Sequence, residues 1–259
     1  MKTYCPVCSW GEAEPYLKKG ETELVRCTQC TLVRRYPLPR APRIEALDSL
    51  NADGEDERAA EELRADFVVQ NVRKFVPSGN WLDVGCGTAQ RLVMARKAGF
   101  SVRGVEQDEI VAHNARKNFG LEISDGDLFD ASFPPAFFNV VTLWHELDHT
   151  SAPLDLLAEV QRVLKPGGYC LIEVQNIVAM RKLSDENELK QSLGDPTRAL
   201  YFSPVTARAV AEKAGFAVQE MQTRSSADYA PHLPAWKKAA KSVLSRVGLP
   251  ELIGVVAQK

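Results

Sequence analysis

From residue 55 onward, apolar and polar positions switch repeatedly between the helical period and short buried runs. Leu63, Phe67, Val68, Val72 and Phe75 recur at helical spacing with charges between them, which predicts an amphipathic helix from about Glu55 to Phe75. Pro77-Ser78-Gly79 ends it, and Trp81-Leu82-Asp83-Val84 reads as a short buried strand. That strand enters Gly85-Cys86-Gly87, and a helical pattern from Ala89 to Gly99 follows. The same alternation continues with a strand at Ser101–Glu106, a helix at Asp108–Phe119 and a third strand near Leu121–Ser124. Gly126-Asp127-Leu128 then form an acidic turn. A fourth strand, Phe138–Leu143, is followed by a helix from Pro153 to Leu164. The turn Lys165-Pro166-Gly167-Gly168 leads into a fifth strand, Tyr169–Val174. Regular alternation of this kind predicts a parallel sheet with right-handed crossovers. Beyond residue 181 the pattern loosens. Here it predicts a helix after Ser203-Pro204, a strand opening at Gly215-Phe216, a basic helix at Trp236–Arg246 and a closing strand at Leu252–Ala257.

The N-terminal stretch is different. Cys5-Pro-Val-Cys8 and Cys27-Thr-Gln-Cys30 are two C-x2-C knuckles with 18 residues between them, within the spacing of a zinc ribbon. Four thiolates complete a tetrahedral site with no open position, so Cys5, Cys8, Cys27 and Cys30 are expected to hold a structural zinc. A segment this short builds little core, and the metal would supply its folding free energy. Residues 31–54 carry Pro37, Pro39 and Pro42 and the basic run Arg34, Arg35, Arg40 and Arg43, and read as a solvated linker. The expected division is a ribbon over 1–36, a linker over 37–54 and an α/β domain over 55–259.

Composition narrows the partners. The chain has 259 residues, 45% of them hydrophobic and 25% charged, with a net charge of −2 and a pI near 6.1. That balance offers no general attraction for nucleic acid or anionic lipid. No apolar run reaches the roughly 18 residues of a membrane span. The N-terminus MKTYCPVCSW lacks a signal-peptide core, so a cytoplasmic location is expected. Cys86 and Cys170 read as core thiols, and His113 as a surface or packing histidine.

The chemistry concentrates at Asp83-Val84-Gly85-Cys86-Gly87. A phosphate loop needs a Lys after its glycines, and none is present; a dinucleotide fingerprint needs a third Gly or Ala where Gln90 stands. What remains is D-x-G-x-G, an acid before a glycine turn, which resembles motif I of the class I S-adenosylmethionine (SAM) methyltransferases. The pieces WLDVGCGTA, VRGVEQD, GDLFD, FNVVTLWHELDHTSAP, VLKPGGYCLIEVQN and YFSP extend the resemblance from Asp56 to the C-terminus. More narrowly, the chain is similar to the zinc-ribbon-bearing bacterial branch that modifies small molecules, such as the sugar C-methyltransferases. The resemblance implies a Rossmann-like seven-stranded sheet in the order 3-2-1-4-5-7-6 with the last strand antiparallel. It implies SAM held at motif I by Asp83, Gly85, Cys86 and Gly87, at the ribose by Glu106 with Gln107 beside it, and near the adenine by Asp127 and Leu128. Trp144 would be a wall of that pocket. Four positions depart from the family pattern: Asn139, Leu147-Asp148-His149, Gln175 and Ala199, the last standing where the family has a histidine.

Transfer from a sulfonium is an in-line displacement in which the enzyme mainly positions the acceptor. An oxygen or activated carbon acceptor also needs a base. His149, His145 and Glu146, at the carboxyl end of the fourth strand, are the catalytic candidates, with His149 first because it matches the family histidine. Arg198 and Tyr201 are candidates for the acceptor side. The expected activity is methyl transfer to a small-molecule acceptor such as a sugar nucleotide or polyketide, with nucleic acid and membrane not expected as partners. Two alternatives stand beside it: an RNA methyltransferase that reads RNA through its ribbon, and a SAM-binding protein without catalysis.

Overall fold

The computed structural model describes residues 2–39, 55–180, 193, 195–224, 250 and 252–259. The predicted helix Trp236–Arg246 and the linker positions Arg40 and Arg43 lie outside the described residues. Three strands occupy the N-terminal segment: β1 (Ala13–Lys19), β2 (Thr22–Cys27) and β3 (Val33–Tyr36). Helix α1 (Glu55–Arg73) precedes β4 (Asn80–Val84), α2 (Gln90–Lys97), β5 (Ser101–Glu106), α3 (Glu109–Phe119) and β6 (Glu122–Asp125). Then come β7 (Phe138–Trp144), α4 (Pro153–Val163), β8 (Leu164–Gln175) and a single helical turn, α5 (Ile177–Met180). A two-residue strand, β9 (Leu200–Tyr201), leads to α6 (Pro204–Lys213), β10 (Ala217–Arg224) and β11 (Leu252–Gln258).

Seven strands form one sheet in the order β10-β11-β8-β7-β4-β5-β6. The pairs from β6 to β8 are parallel, and β11 runs antiparallel between β8 and β10. Because side chains alternate across a strand, each face has its own core. Trp81, Val140, Leu171 and Val256 pack under α1, α2 and α3. Leu82, Val84, Val141, Leu143, Ile172, Val174, Ile253 and Val255 face α4 and α6. Both faces are covered, which is why these strands read as continuous apolar runs.

Local signals stop the elements where the chain must turn toward the site. Asp108 caps α3 by accepting from the N–H groups of Ile110 and Val111, and Gly120 ends that helix at φ 59°. Ser203 and Thr206 form a reciprocal capping box on α6, with Pro204 in its first turn. Asn139, the departure at the start of β7, accepts from the backbone of Asn80 (3.0 Å) and from Lys165 Nζ (2.9 Å), and so ties β4, β7 and β8 together at their entry ends.

The N-terminal strands are not a free appendage. They form a four-stranded sheet in the order β1-β2-β3-β9, whose last strand comes from the α/β domain. Val33 pairs with Tyr201 and Arg34 with Leu200, antiparallel. This corrects the expectation that Arg34 and Arg35 lie in a solvated linker: both are in β3, and Arg34 is 1% exposed. The proline-rich composition signalled the end of the strand at Pro37 but hid its beginning. Cys5, Val7, Cys27 and Leu32 share one apolar core with α4 and α6, which joins ribbon and domain.

Candidate active site

At the carboxyl end of β4 the backbone takes left-handed φ at Gly85 (66°), Gly87 (55°) and Ala89 (63°). The positive φ favours glycine at position 85, and a side chain there would also displace the end of Glu146. A Cβ there would meet Glu146 Oε2, so the Glu146 carboxyl rests directly against the turn. Gly87 N–H donates to Glu106 Oε2 at 2.8 Å, and Asp108 N–H donates to the other oxygen at 3.0 Å. Glu106 thus stands at the end of β5 with both oxygens fixed in place. Asp127 Oδ1 accepts from the N–H groups of Phe129 and Asp130, shaping the turn after β6. Leu128 is buried, Trp144 is half-buried, and Gln107 is exposed at the rim. Cys86 has its backbone in the turn while its side chain packs into the core, where burial pushes its thiol well up.

Asp83 is 0% exposed and engaged on both oxygens. Thr142 donates to Oδ1 at 2.6 Å while accepting from Trp81 Nε1 at 2.9 Å, and Arg91 Nε meets Oδ2 at 2.9 Å. Burial works against the charge of Arg91; Asp83 outweighs it and holds the guanidinium above its ordinary value. Arg91 and Thr142 were not singled out from the sequence. Arg91 lies eight residues after Asp83, at the second position of α2, and that placement beside an acid at a strand end was the available signal.

A second group of side chains collects where β7 and β8 end. His145 adopts φ 57°, a left-handed conformation that is costly outside glycine, in a bend and not in a helical turn. Its side chain is 37% exposed, yet its Nδ1 is buried and has no hydrogen-bond partner. Nε2 lies 3.5 Å from Glu173 Oε1, and Glu173 is buried on β8. Burial lowers the pKa of the His145 ring below its ordinary value; Asp148 opposes this, and Arg198 and Arg91 reinforce it. His149 is held differently. Its Nδ1 is 2.9 Å from Thr197 Oγ1 and its Nε2 is 3.6 Å from Asp195 Oδ2. Burial pushes Asp195 up, but the Thr197 hydroxyl and His149 outweigh it and hold the carboxylate below its usual range. Asp148 is 1% exposed and pairs with Arg198, Nε to Oδ2 at 3.1 Å. Arg198 also reaches Gln175, one of the departures from the family pattern. Ala199, another departure, is buried, and its N–H donates to the carbonyl of Asp148 at 2.9 Å. Tyr201 is buried in the β1-β2-β3-β9 sheet with its hydroxyl 3.3 Å from Arg35 Nη2; burial pushes its phenol up, while Arg35 and Arg198 act to lower it.

Glu146 joins the two groups. Burial raises its pKa to about 8, with Glu106, Asp148, Asp83 and Asp127 adding to the shift. The neighbouring acids thus disfavour a charged Glu146, and a cation bound beside it would oppose that effect.

The cysteines form the third cluster. Cys5, Cys8, Cys27 and Cys30 are free thiols whose sulfurs all lie within 4.8 Å of one another. Cys5–Cys30 and Cys8–Cys27 are each 3.5 Å apart. A tetrahedron of Zn–S bonds near 2.3 Å has edges of about 3.8 Å, so the set matches a four-thiolate site. Arg34 gives an independent reason to expect negative charge there. Its guanidinium is buried, with Nε and Nη1 unpartnered, and burial lowers its pKa while Cys5, Cys27 and Cys30 act to raise it. A buried cation needs a counter-charge, and four metal-bound thiolates carry a net charge of −2.

A doubly wound sheet with a glycine turn at the carboxyl end of β4 and acids at the ends of β5, β6 and β7 is the arrangement of a Rossmann-like cofactor-binding fold. The methyltransferase-domain family model matches residues 56–221, and the chain belongs to that family of SAM-dependent enzymes. A protein of Mycolicibacterium smegmatis named "Probable S-adenosylmethionine-dependent methyltransferase" is 27% identical over 114 residues, covering 44% of each chain. The "Ubiquinone biosynthesis O-methyltransferase" of Thiobacillus denitrificans is 29% identical over 102 residues, covering 37% of this chain and 44% of that one. The chain therefore spans less than half the length of these curated relatives. Among solved structures, the methyltransferase bound to the Trm112 methyltransferase activator from Haloferax volcanii superposes with a TM-score of 0.63 at 19% identity. It covers 82% of this chain and 96% of its own, a likeness of fold. Among the described residues no helix is long and apolar enough to cross a membrane.

Proposed function

We propose that the chain transfers the SAM methyl group to an oxygen or carbon of a small-molecule acceptor, with His145 as general base and a structural zinc in the ribbon. The carrying observation is the environment of His145. Burial of part of its ring lowers its pKa, the side chain remains 37% exposed, and Glu173 stands 3.5 Å from Nε2. A neutral imidazole steered by a carboxylate is equipped to accept a proton at neutral pH. His149, first on sequence grounds, has both nitrogens beside Thr197 and Asp195, which suits an orienting role better than proton abstraction. In this reading Gly85 and Gly87 bring the backbone close to the methionine half of SAM, Glu106 takes the ribose, and Asp127 and Leu128 border the adenine. Asp83 acts through Arg91, whose guanidinium also lies 3.4 Å from the Gly85 carbonyl.

The test uses labelled SAM and fractionated lysate, with and without nuclease. Label in a nuclease-resistant small-molecule fraction supports the proposal; label that disappears with nuclease favours the RNA reading, and no label with intact SAM binding favours the non-catalytic one.

Glu146 supplies a pH prediction. In the free protein its pKa near 8 leaves it mostly protonated at pH 7. A cationic sulfonium beside it stabilises the carboxylate, so binding releases a proton. SAM affinity should therefore rise with pH by up to about tenfold per unit below 8 and level off above it. S-adenosylhomocysteine, which lacks the sulfonium charge, should show a smaller slope, and Glu146→Gln should remove the difference. Calorimetry across pH 6–9 reads this; equal slopes for both ligands in the unmodified chain would refute it.

A further inference from the structure

The two neighbouring arginines of β3 point to opposite faces of the ribbon sheet, as successive residues of a strand must. Arg34 turns toward the cysteines and donates to the carbonyl and hydroxyl of Thr3. Arg35 turns toward the α/β domain and spends its fork of donors there. Its Nε donates to the carbonyl of Arg198 (3.1 Å), and Nη2 donates to the carbonyls of Leu193 (3.1 Å) and Asp195 (2.7 Å) and lies 3.3 Å from the Tyr201 hydroxyl. Nη1 donates to Thr22 Oγ1 in the ribbon at 3.2 Å, and the Arg35 backbone N–H donates to the Ala199 carbonyl at 2.9 Å.

The residues whose carbonyls Arg35 gathers belong to the segment that faces His149 and Asp148. Asp195 and Thr197 flank the His149 ring, and Arg198 pairs with Asp148. From the other side, the N–H groups of Ala199 and Leu200 both donate to the Asp148 carbonyl at 2.9 Å. The segment is therefore clamped between the turn after β7 and a single ribbon guanidinium. From Asp195 to Tyr201 the only regular structure is the two-residue β9. A planar guanidinium spreads five donors over a fixed fork, a reach that the three donors on the single nitrogen of a lysine ammonium do not reproduce.

We propose that Arg35 is a positioning residue through which the ribbon holds Asp195, Thr197 and Arg198 against His149 and Asp148, and so sets the acceptor side of the methyl-transfer site. The link to the acceptor rests on the function proposed above; the link from Arg35 to His149 does not.

The experiment uses the full chain carrying Arg35→Ala or Arg35→Lys, with Arg26→Ala as a control at an exposed ribbon arginine that pairs with Glu14. In Arg35→Ala the ring-nitrogen NMR signals of His149 are expected to move. Amide exchange at Ala199 and Leu200 should speed up about tenfold or more, the scale expected for lost buried hydrogen bonds. SAM affinity measured by calorimetry should stay within about twofold, because the glycine turn and Glu106 are untouched. Added methylguanidinium should move the His149 signals back, Arg35→Lys should fall between, and Arg26→Ala should change none of these. If Arg35→Ala does not fold, Arg35→Lys carries the same readouts. Unmoved His149 signals and unchanged exchange overturn the proposal, as does a shift that methylguanidinium leaves unaltered. In the labelling reaction, reduced transfer at unchanged SAM affinity is the expected result. Altered His149 signals with normal transfer would reject the acceptor link, and absence of any transfer in the unmodified chain would instead count against the proposed function.

Discussion

Replacing His145 with Gln is expected to lower kcat by about 10²- to 10⁴-fold, the usual contribution of a positioned general base. SAM binding should change little, because in the proposed site the cofactor rests on the glycine turn and Glu106 and not on the imidazole. The loss should appear in kcat and kcat/KM alike, as for an interaction made mainly in the transition state. The pH profile gives a second reading. Burial lowers the pKa of the ring, so in the unmodified enzyme the base is already free of its proton at neutral pH. At saturating SAM, where the Glu146 effect on affinity is removed, kcat should therefore fall only on the acid side, below the ordinary histidine range, and this limb should vanish in the variant. His149→Gln should cost less, since its ring is engaged by Thr197 and Asp195 and serves to place them. The reverse order of effects, with His149→Gln the severe variant, would transfer the role of base to His149.

The second large effect concerns the ribbon. Each chain should carry one zinc by elemental analysis, and Cys27→Ser should lose it. Structural zinc in small ribbons contributes on the order of 10 kcal/mol or more of apparent binding free energy, so its removal should unfold β1 to β3. Cys27 is buried in the core shared with α4 and α6, so the damage should extend beyond the ribbon. Without four thiolates the buried Arg34 also loses its counter-charge, which adds to the cost of the metal-free state. Chelator should lower the melting temperature and expose β3 and β9 to amide exchange before β4, β7 and β8. A chain that contains no zinc, or whose melting is indifferent to chelator, would exclude a structural metal.

These two predictions draw differently on the sequence. The cysteine spacing was legible because knuckles are short and their geometry is local; the structure brings all four sulfurs together. The choice between the histidines was not legible. His145 and His149 are four residues apart in one acidic stretch, and nothing near either in the chain separates their roles. What separates them comes from elsewhere: Glu173 from β8 for one, and Asp195 and Thr197 for the other.

The departures noted in the sequence also acquire meanings that pattern alone could not supply. Asn139 is a knot among three strand ends. Gln175 is a partner of Arg198. Ala199 fills a fully buried position where its backbone is used and a larger side chain would need space.

By itself the sequence determined the alternation of strands and helices, the glycine turn with its acids, and the four-cysteine spacing. Each of these is written in residues a few positions apart, where periodicity, φ preferences and ligand spacing act. Tertiary structure alone decided that the ribbon shares a sheet with the domain, that Asp83 is locked to Thr142 and Arg91, and that Arg35 reaches a segment 163 residues away. Such contacts follow from which strand ends the topology brings together. The loop closures that create them leave no periodic trace in the chain.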